Sequence, residues 1–179
     1  MNIHDLINNA EEKLTSEYRK IEQLCEFNSQ KVISAFCENK VSENHFNSTT
    51  GYGYNDEGRD TIEKVYASIF KAEDALVRNQ FISGSHALCV CLFSLLRPHD
   101  VLLSITGKPY DTLEEVIGIK DNPSSLKSFG VIYEQIDLID SDFDYFKIKD
   151  AITSKKIKVI EIQRSKGYST RKSIDTKKL

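Results

Sequence analysis

The chain has 179 residues, a net charge of −3, a hydrophobic fraction of 40% and a charged fraction of 28%. That is the make-up of a soluble globular protein able to bury a sizeable core, and it argues against a polyanionic partner such as nucleic acid. The polar N-terminus and a longest apolar run of only Ala87 to Leu96 give neither a signal peptide nor a membrane span, so the expected compartment is the cytoplasm.

From Ile3 to Phe36 apolar side chains recur at helical spacing, including Leu6, Ile7, Leu14, Tyr18, Ile21, Leu24, Val32 and Phe36. This predicts one long helix, or two with a break near Asn28, whose stripe must bury itself on the main body or on a partner subunit. The polar stretch Asn39 to Asp60 reads as a long loop, a class that is functional or disordered. A helix is expected at about Asp60 to Phe70, then a buried strand over Ala75 to Ile82 and, after Ser83-Gly84, an apolar helix to Leu96. Arg97 to Asp100 is a turn and Val101 to Ile105 a second strand. A short helix follows at Leu113 to Gly118, then a strand at Val131 to Leu138, a helix at Asp144 to Thr153 and a strand at Lys158 to Gln163. Strands alternating with helices predict an α/β fold with a mostly parallel sheet covered on both faces.

Cys25, Cys37, Cys89 and Cys91 are expected to be buried or inert thiols rather than a disulfide framework. Cys89 and Cys91, two apart on a helix, face different ways. His4, His45, His86 and His99 are too scattered for a zinc set, so no metal site is expected. The lysines from Lys155 to Lys178 read as a solvated, frayed end.

Ligands of open parallel sheets bind at the carboxyl ends of strands, beside helix N-termini. Ser83-Gly84-Ser85 holds such a place, where a glycine, two hydroxyls and free N–H groups suit an anion. Read alone, the run is an N-cap with a helpful glycine. Gly51-Tyr-Gly-Tyr54 is no dinucleotide fingerprint, because Asp56 stands where the third glycine belongs. Tyr52, Tyr54 and Arg59 either reach a phosphate or carboxylate or belong to an exposed loop. Tyr110 either stacks on a flat ligand or packs over a helix start capped by Asp111 or Thr112. His86 reads as a satisfied, half-buried histidine, while Arg164 and Arg171 bind a carboxylate or are solvated.

Several strings, in order along nearly the whole chain, carry a resemblance. They are Thr50 to Asp60, Val65-Tyr-Ala67, Ala72 to Arg78, Ser83-Gly-Ser-His-Ala87, Thr106 to Leu113 and Ile162 to Tyr168. The sequence resembles the methionine gamma-lyase-like, or aluminium-resistance, family, which is related to the cystathionine gamma-synthase and lyase group of fold-type I pyridoxal-phosphate enzymes. The resemblance implies an N-terminal helical arm and loop over residues 1–50 and a partial cofactor-binding large domain over 51–179, with an incomplete sheet. It further implies pyridoxal 5′-phosphate, its phosphate on Ser83, Gly84 and Ser85 and its ring on Tyr110. Tyr52, Tyr54 and Arg59 would reach a neighbouring subunit's site in a homo-oligomer. The implied chemistry is elimination from a sulfur-containing amino acid, with the cofactor as electron sink.

No catalytic residue is expected within the chain. The lysine that binds the cofactor covalently and the aspartate that holds its ring nitrogen should lie beyond Leu179, and neither Lys108 nor Lys166 stands in for that lysine. The chain is therefore expected to be an N-terminal fragment, inactive alone and prone to self-association through uncovered sheet edges. The alternative is a non-catalytic assembly partner of a full-length paralogue. A nucleotide-binding domain rests on fold analogy only, without a P-loop.

Overall fold

The computed structural model describes residues 2–50, 53–54 and 56–178. The chain divides into two compact units, Met1–Gln80 and Phe81–Leu179.

The first unit is helical. Helix α1 (Ile3–Glu38) opens with a capping box in which Asn2 accepts from the His4 amide at 2.8 Å and Asp5 accepts from the Asn2 amide at 3.2 Å. It runs unbroken for 36 residues, about 54 Å at 1.5 Å per residue. Of the two readings, one unbroken helix is found rather than a break near Asn28, whose side-chain amide donates back to the Leu24 carbonyl at 2.8 Å and is absorbed by the helix. Ala35 is buried, whereas Ile3, Leu6, Ile7, Leu14, Tyr18, Ile21 and Leu24 are exposed.

The stretch read as one long loop is partly ordered: a 3-10 helix spans Glu43–Phe46, and α2 (Glu57–Phe70) begins three residues ahead of its expected start. Buried Asp56 caps α2, accepting from the Arg59 amide at 3.0 Å and from the Thr49 hydroxyl at 2.6 Å. Helix α2 packs on the C-terminal part of α1 through Val65, and Asn39 donates to the Ser68 hydroxyl at 3.1 Å. An apolar cavity of about 510 Å³ opens between them, lined by Val32, Phe36, Ile62, Tyr66 and Phe70 among others.

The strand expected at Ala75 to Ile82 does not form. The Val77 amide donates to Glu63 Oε1 at 3.0 Å and Arg78 pairs with the same carboxylate, so these groups turn to α2 rather than to a ladder. Leu76 and Ile82 stay exposed.

The second unit is α/β. Helix α3 (Gly84–Leu95), strand β1 (Val101–Ser104), helix α4 (Asp111–Ile117), strand β2 (Ile132–Gln135), helix α5 (Tyr145–Ser154) and strand β3 (Ile157–Glu161) follow in order. The sheet is parallel with strand order β2-β1-β3; Ser104, last in β1, lies opposite both Gln135 and Glu161.

Strand β1 is buried throughout, and its period of two divides the core. Leu102 packs with Leu92 of α3, Leu96 just past its end, and Leu113 and Ile117 of α4, while Leu103 packs with Ile136, Phe143, Ile174 and Ala151 of α5. Helices therefore cover both faces, as expected for parallel strands. Burying Leu102 and Leu103 completely stabilises the unit by roughly 1.5–3 kcal/mol per side chain.

The cysteines are free, as expected of a chain without a disulfide framework; of the buried-or-inert alternatives burial is not found, since Cys25, Cys37 and Cys91 are exposed and Cys89 is half-buried. Cys25 and Cys37 lie on the α1 faces left uncovered; Cys91 lies on a face of α3 turned from the core. Among the described residues no helix is long and apolar enough to cross a membrane.

Candidate functional site

Strand order decides where a site can form. From β1 the chain passes through α4 to β2 on one side, and from β2 through α5 back across β1 to β3 on the other. The reversal point is the crevice between the carboxyl ends of β1 and β3, where open α/β sheets bind ligands. Thr106 to Tyr110 leave β1 there, and Gln163 to Tyr168 leave β3.

Ser83 is extended (φ −163°, ψ 164°) and caps α3, its hydroxyl accepting from the His86 amide at 3.0 Å. The amides of Gly84 and Ser85 lie ahead of the first intrahelical bond and remain for an anion. A Cβ placed on Gly84 meets nothing within 4 Å, so the turn faces open space. The Ser85 hydroxyl donates to Thr112 Oγ1 at 3.0 Å, tying the start of α3 to the start of α4. Thr112 is thus occupied, and the cap expected from Asp111 or Thr112 is replaced. Tyr110 stands at the N-cap without a side-chain capping bond, its carbonyl accepting from the Leu113 amide at 2.9 Å.

The β1–α4 connection is braced from below. Gly107 takes a positive φ of 82°, and an added Cβ would sit 3.2 Å from Asp137 Oδ1. Its amide donates to the Ile136 carbonyl at 3.0 Å, and its carbonyl accepts from Ser104 at 2.7 Å. Thr106 accepts from the Gln163 amide at 2.9 Å, joining the segments that leave β1 and β3.

Over this frame the rings of Tyr110 and Tyr168 stack at 5.9 Å and 24°, their hydroxyls 3.2 Å apart. The hydrogen bond to Tyr168 raises the Tyr110 phenol above its ordinary value. Gly167, at φ 55°, also lies against the Tyr110 ring. Arg164 and Arg171, open at first to a carboxylate-binding role or to solvent, also donate to backbone: Arg164 to the Ile174 carbonyl, and Arg171 to those of Gln163, Ser165 and Lys172. They staple the segment that carries Tyr168. His86 is half-buried, its ring against Phe81 and its Nδ1 accepting from the Ile82 amide at 3.4 Å.

Ser83, Gly84 and Ser85 at the start of α3 are thus tied, through Ser85 and Thr112, to the start of α4, where Tyr110 stands. Tyr54 and Arg59 belong to the first unit. Tyr54 is 97% exposed, and Arg59 donates to Asp60 at 3.0 Å and to the Gly53 carbonyl at 3.2 Å. Tyr52 lies outside the described residues. The sequence alone gives Thr112 only as a cap and offers no role for Ser104 or Glu161. The last two had a signal: each is the lone acidic or hydroxyl residue near the carboxyl end of an otherwise apolar strand core, Val-Leu-Leu-Ser-Ile105 and Val-Ile-Glu-Ile162.

A family profile described as methionine gamma-lyase matches residues 3–179. The chain belongs to the methionine gamma-lyase family. It is 49% identical over 167 residues to YnbB of Bacillus subtilis (strain 168), which covers 92% of this chain and 39% of that protein. It also resembles a solved Listeria innocua structure, described as a candidate cystathionine beta-lyase involved in aluminium resistance, at 49% identity and a TM-score of 0.93. That match covers 99% of this chain and 44% of the other. A solved carbon–sulfur lyase involved in aluminium resistance from Clostridium novyi NT matches at 39% identity and a TM-score of 0.91, over 98% of this chain and 42% of that one. The chain thus spans well under half the length of these family members.

Proposed function

We propose that this chain supplies the phosphate-binding turn and the ring-stacking tyrosine of a pyridoxal-5′-phosphate-dependent carbon–sulfur lyase acting on a sulfur-containing amino acid. The observation that carries this reading is the 3.0 Å bond from Ser85 to Thr112, which sets the anion-favouring start of α3 two residues from the aromatic ring of Tyr110. The donor set fits the group: free amides and hydroxyls for a phosphate dianion, and a flat ring for a pyridine. When bound, the cofactor supplies the electron sink for elimination.

The chain's own residues have separate tasks in this reading. The Gly84 and Ser85 amides and the Ser83 hydroxyl hold the phosphate, and the Ser85 hydroxyl joins them by turning its proton to the phosphate and accepting from Thr112 instead. Tyr110 orients the ring, and the Thr106–Gln163 bond fixes the two loops around it. Tyr52, Tyr54 and Arg59 are proposed to serve a second subunit's site in a homo-oligomer.

The 179 residues alone are proposed to lack lyase turnover. Lys108, the lysine nearest Tyr110 in sequence, is paired with Glu114 at 2.8 Å, and Lys166 is exposed in a turn. Purified chain incubated with pyridoxal phosphate and methionine or cystathionine should release neither a 2-oxo acid nor ammonia; release of both would overturn this part of the reading.

A second reading, assembly with a full-length paralogue, draws on the exposed stripe of α1 from Ile3 to Leu24. Co-purification with such a paralogue, weakened by Leu14→Glu, supports it; a chain always recovered alone argues against it.

A further inference from the structure

Two oxygens compete for the single hydroxyl proton of Ser104. Its Oγ lies 2.7 Å from the Gly107 carbonyl oxygen and 2.5 Å from Oε2 of Glu161, and the residue is wholly buried. A hydroxyl has one proton to give, and a carbonyl and an ionised carboxylate are both pure acceptors. Both contacts are satisfied together only when the carboxyl carries a proton and donates it to Ser104, whose own proton then goes to Gly107. We infer that Glu161 is a positioning residue held in its protonated form, and that Glu161, Ser104 and Gly107 make a proton-dependent latch on the loop that carries Tyr110.

The surroundings favour the neutral acid. Burial raises the Glu161 pKa above its ordinary value, and the Ser104 contact offsets this only in part. Among the described residues no cation pairs with Glu161. From β2 the ionisable neighbour is Tyr133, whose phenol also lies within hydrogen-bonding reach of Ser104 and is pushed up to about 12 by burial first and by the Glu161 carboxyl next, with Asp137 beyond it. Tyr133 donates to Gln135, which donates to Asp137, so neither brings positive charge. On the same face α4 and its preceding loop carry Glu114 and Lys108, which neutralise each other, and α3 carries His86 as its basic residue.

Ionisation reverses the relay. A carboxylate at Glu161 takes the Ser104 proton, and the Gly107 carbonyl loses its hydroxyl donor. Gly107 is already held at φ 82°, so the β1–α4 loop loosens there and Tyr110 with it. The sign follows from linkage. With a folded-state pKa above the unfolded one, the latch contributes fully below the unfolded value and is lost as pH rises through the folded one. The inference stands apart from any cofactor.

Infrared spectroscopy of the purified chain tests it, because the C=O stretch of a protonated carboxyl is resolved even if the chain self-associates. As pH rises past the ordinary glutamate value of about 4.3, a protonated-carboxyl band that outlasts those of the other carboxyls, moves on ¹³C-glutamate labelling and vanishes in Glu161→Gln is expected. Its absence overturns the proposal. Should Glu161→Gln fail to fold, Ser104→Ala decides: the band should move to higher frequency on losing its acceptor, and an unmoved band rejects the pairing. For positioning, hydrogen exchange at the Gly107 amide, corrected for intrinsic pH dependence, should quicken as Glu161 ionises and stay level in Glu161→Gln. Equal loss of protection in both contradicts the latch.

Discussion

Ser85 and Thr112, 27 positions apart in sequence, meet hydroxyl to hydroxyl at 3.0 Å and so join the first turns of α3 and α4. The pair is exposed, so its net contribution to stability is small, about 0.5–1.5 kcal/mol for an ordinary hydrogen bond. Its positional role is larger, since it fixes where the proposed phosphate-binding turn sits relative to the start of α4, where Tyr110 stands. Thr112→Val should shift the unfolding midpoint only slightly while weakening pyridoxal-phosphate binding several-fold, read by titrating the absorbance of the bound form. Unchanged binding would show that the two turns are placed by other contacts.

The Tyr110 phenol is raised because it donates to the Tyr168 hydroxyl and a phenolate at Tyr168 would repel its own. Tyr168→Phe removes both effects. The Tyr110 titration, followed by tyrosinate absorbance, should then move down toward the ordinary phenol value. Movement upward, or none, would mean that the stacked pair is not populated in solution.

Leu102 is the residue on which the α3–α4 face of the sheet closes, and it has no exposed surface. Leu102→Ala removes buried methyl groups from a site the surrounding helices cannot fill. The expected loss is about 2–5 kcal/mol, measured as a lowered denaturant midpoint. Ile132→Ala, on the exposed edge strand β2, should cost markedly less.

Gly107→Ala forces a side chain into a positive φ and within 3.2 Å of Asp137 Oδ1. It should destabilise the second unit by roughly 1 kcal/mol or more. The same change at Gly84, where a Cβ meets nothing, should leave folding nearly untouched. A close approach of phosphate to that backbone would still make Gly84→Ala weaken cofactor binding.

Asp144 caps α5, and the bond from the Lys147 amide, followed by the Lys147 side chain, holds its carboxyl below the ordinary value. A depressed folded-state pKa means stability that is present above the unfolded pKa and lost as pH falls through the folded one. Thermal unfolding of Asp144→Ala should therefore show a shallower acid limb than the parent. A limb of unchanged slope would remove Asp144 from the acid response.

Most of the second unit was legible in the sequence because its signals are local. Ser83 before an apolar run marks a cap, and Val101-Leu-Leu-Ser104 between turn residues marks a buried strand. The expected parallel sheet and its two covered faces follow from that alternation. The run from Ala75 to Ile82 was misleading, since β-branched and apolar residues there had no strand to pair with and Glu63 took the Val77 amide instead. Asn28 was another: a turn-forming residue in an otherwise regular helix, it satisfied its amide on Leu24. At the site, the glycine, serines and tyrosine were visible as residue types in the right places. Their tethers through Thr112, Gln163 and Tyr168 join segments from 27 to 58 positions apart, a distance over which periodicity carries no information.

The central claim is that the turn at Ser83 to Ser85 holds a phosphate beside the Tyr110 ring. Comparing binding of pyridoxal 5′-phosphate with that of pyridoxal, by equilibrium titration of the purified chain and of the Ser83→Ala/Ser85→Ala variant, tests it most directly. Saturable binding of the phosphorylated form, at least tenfold tighter than pyridoxal and reduced in the variant toward the pyridoxal level, is the predicted result. Equal affinity for the two compounds, or a variant that binds as the parent does, would contradict it.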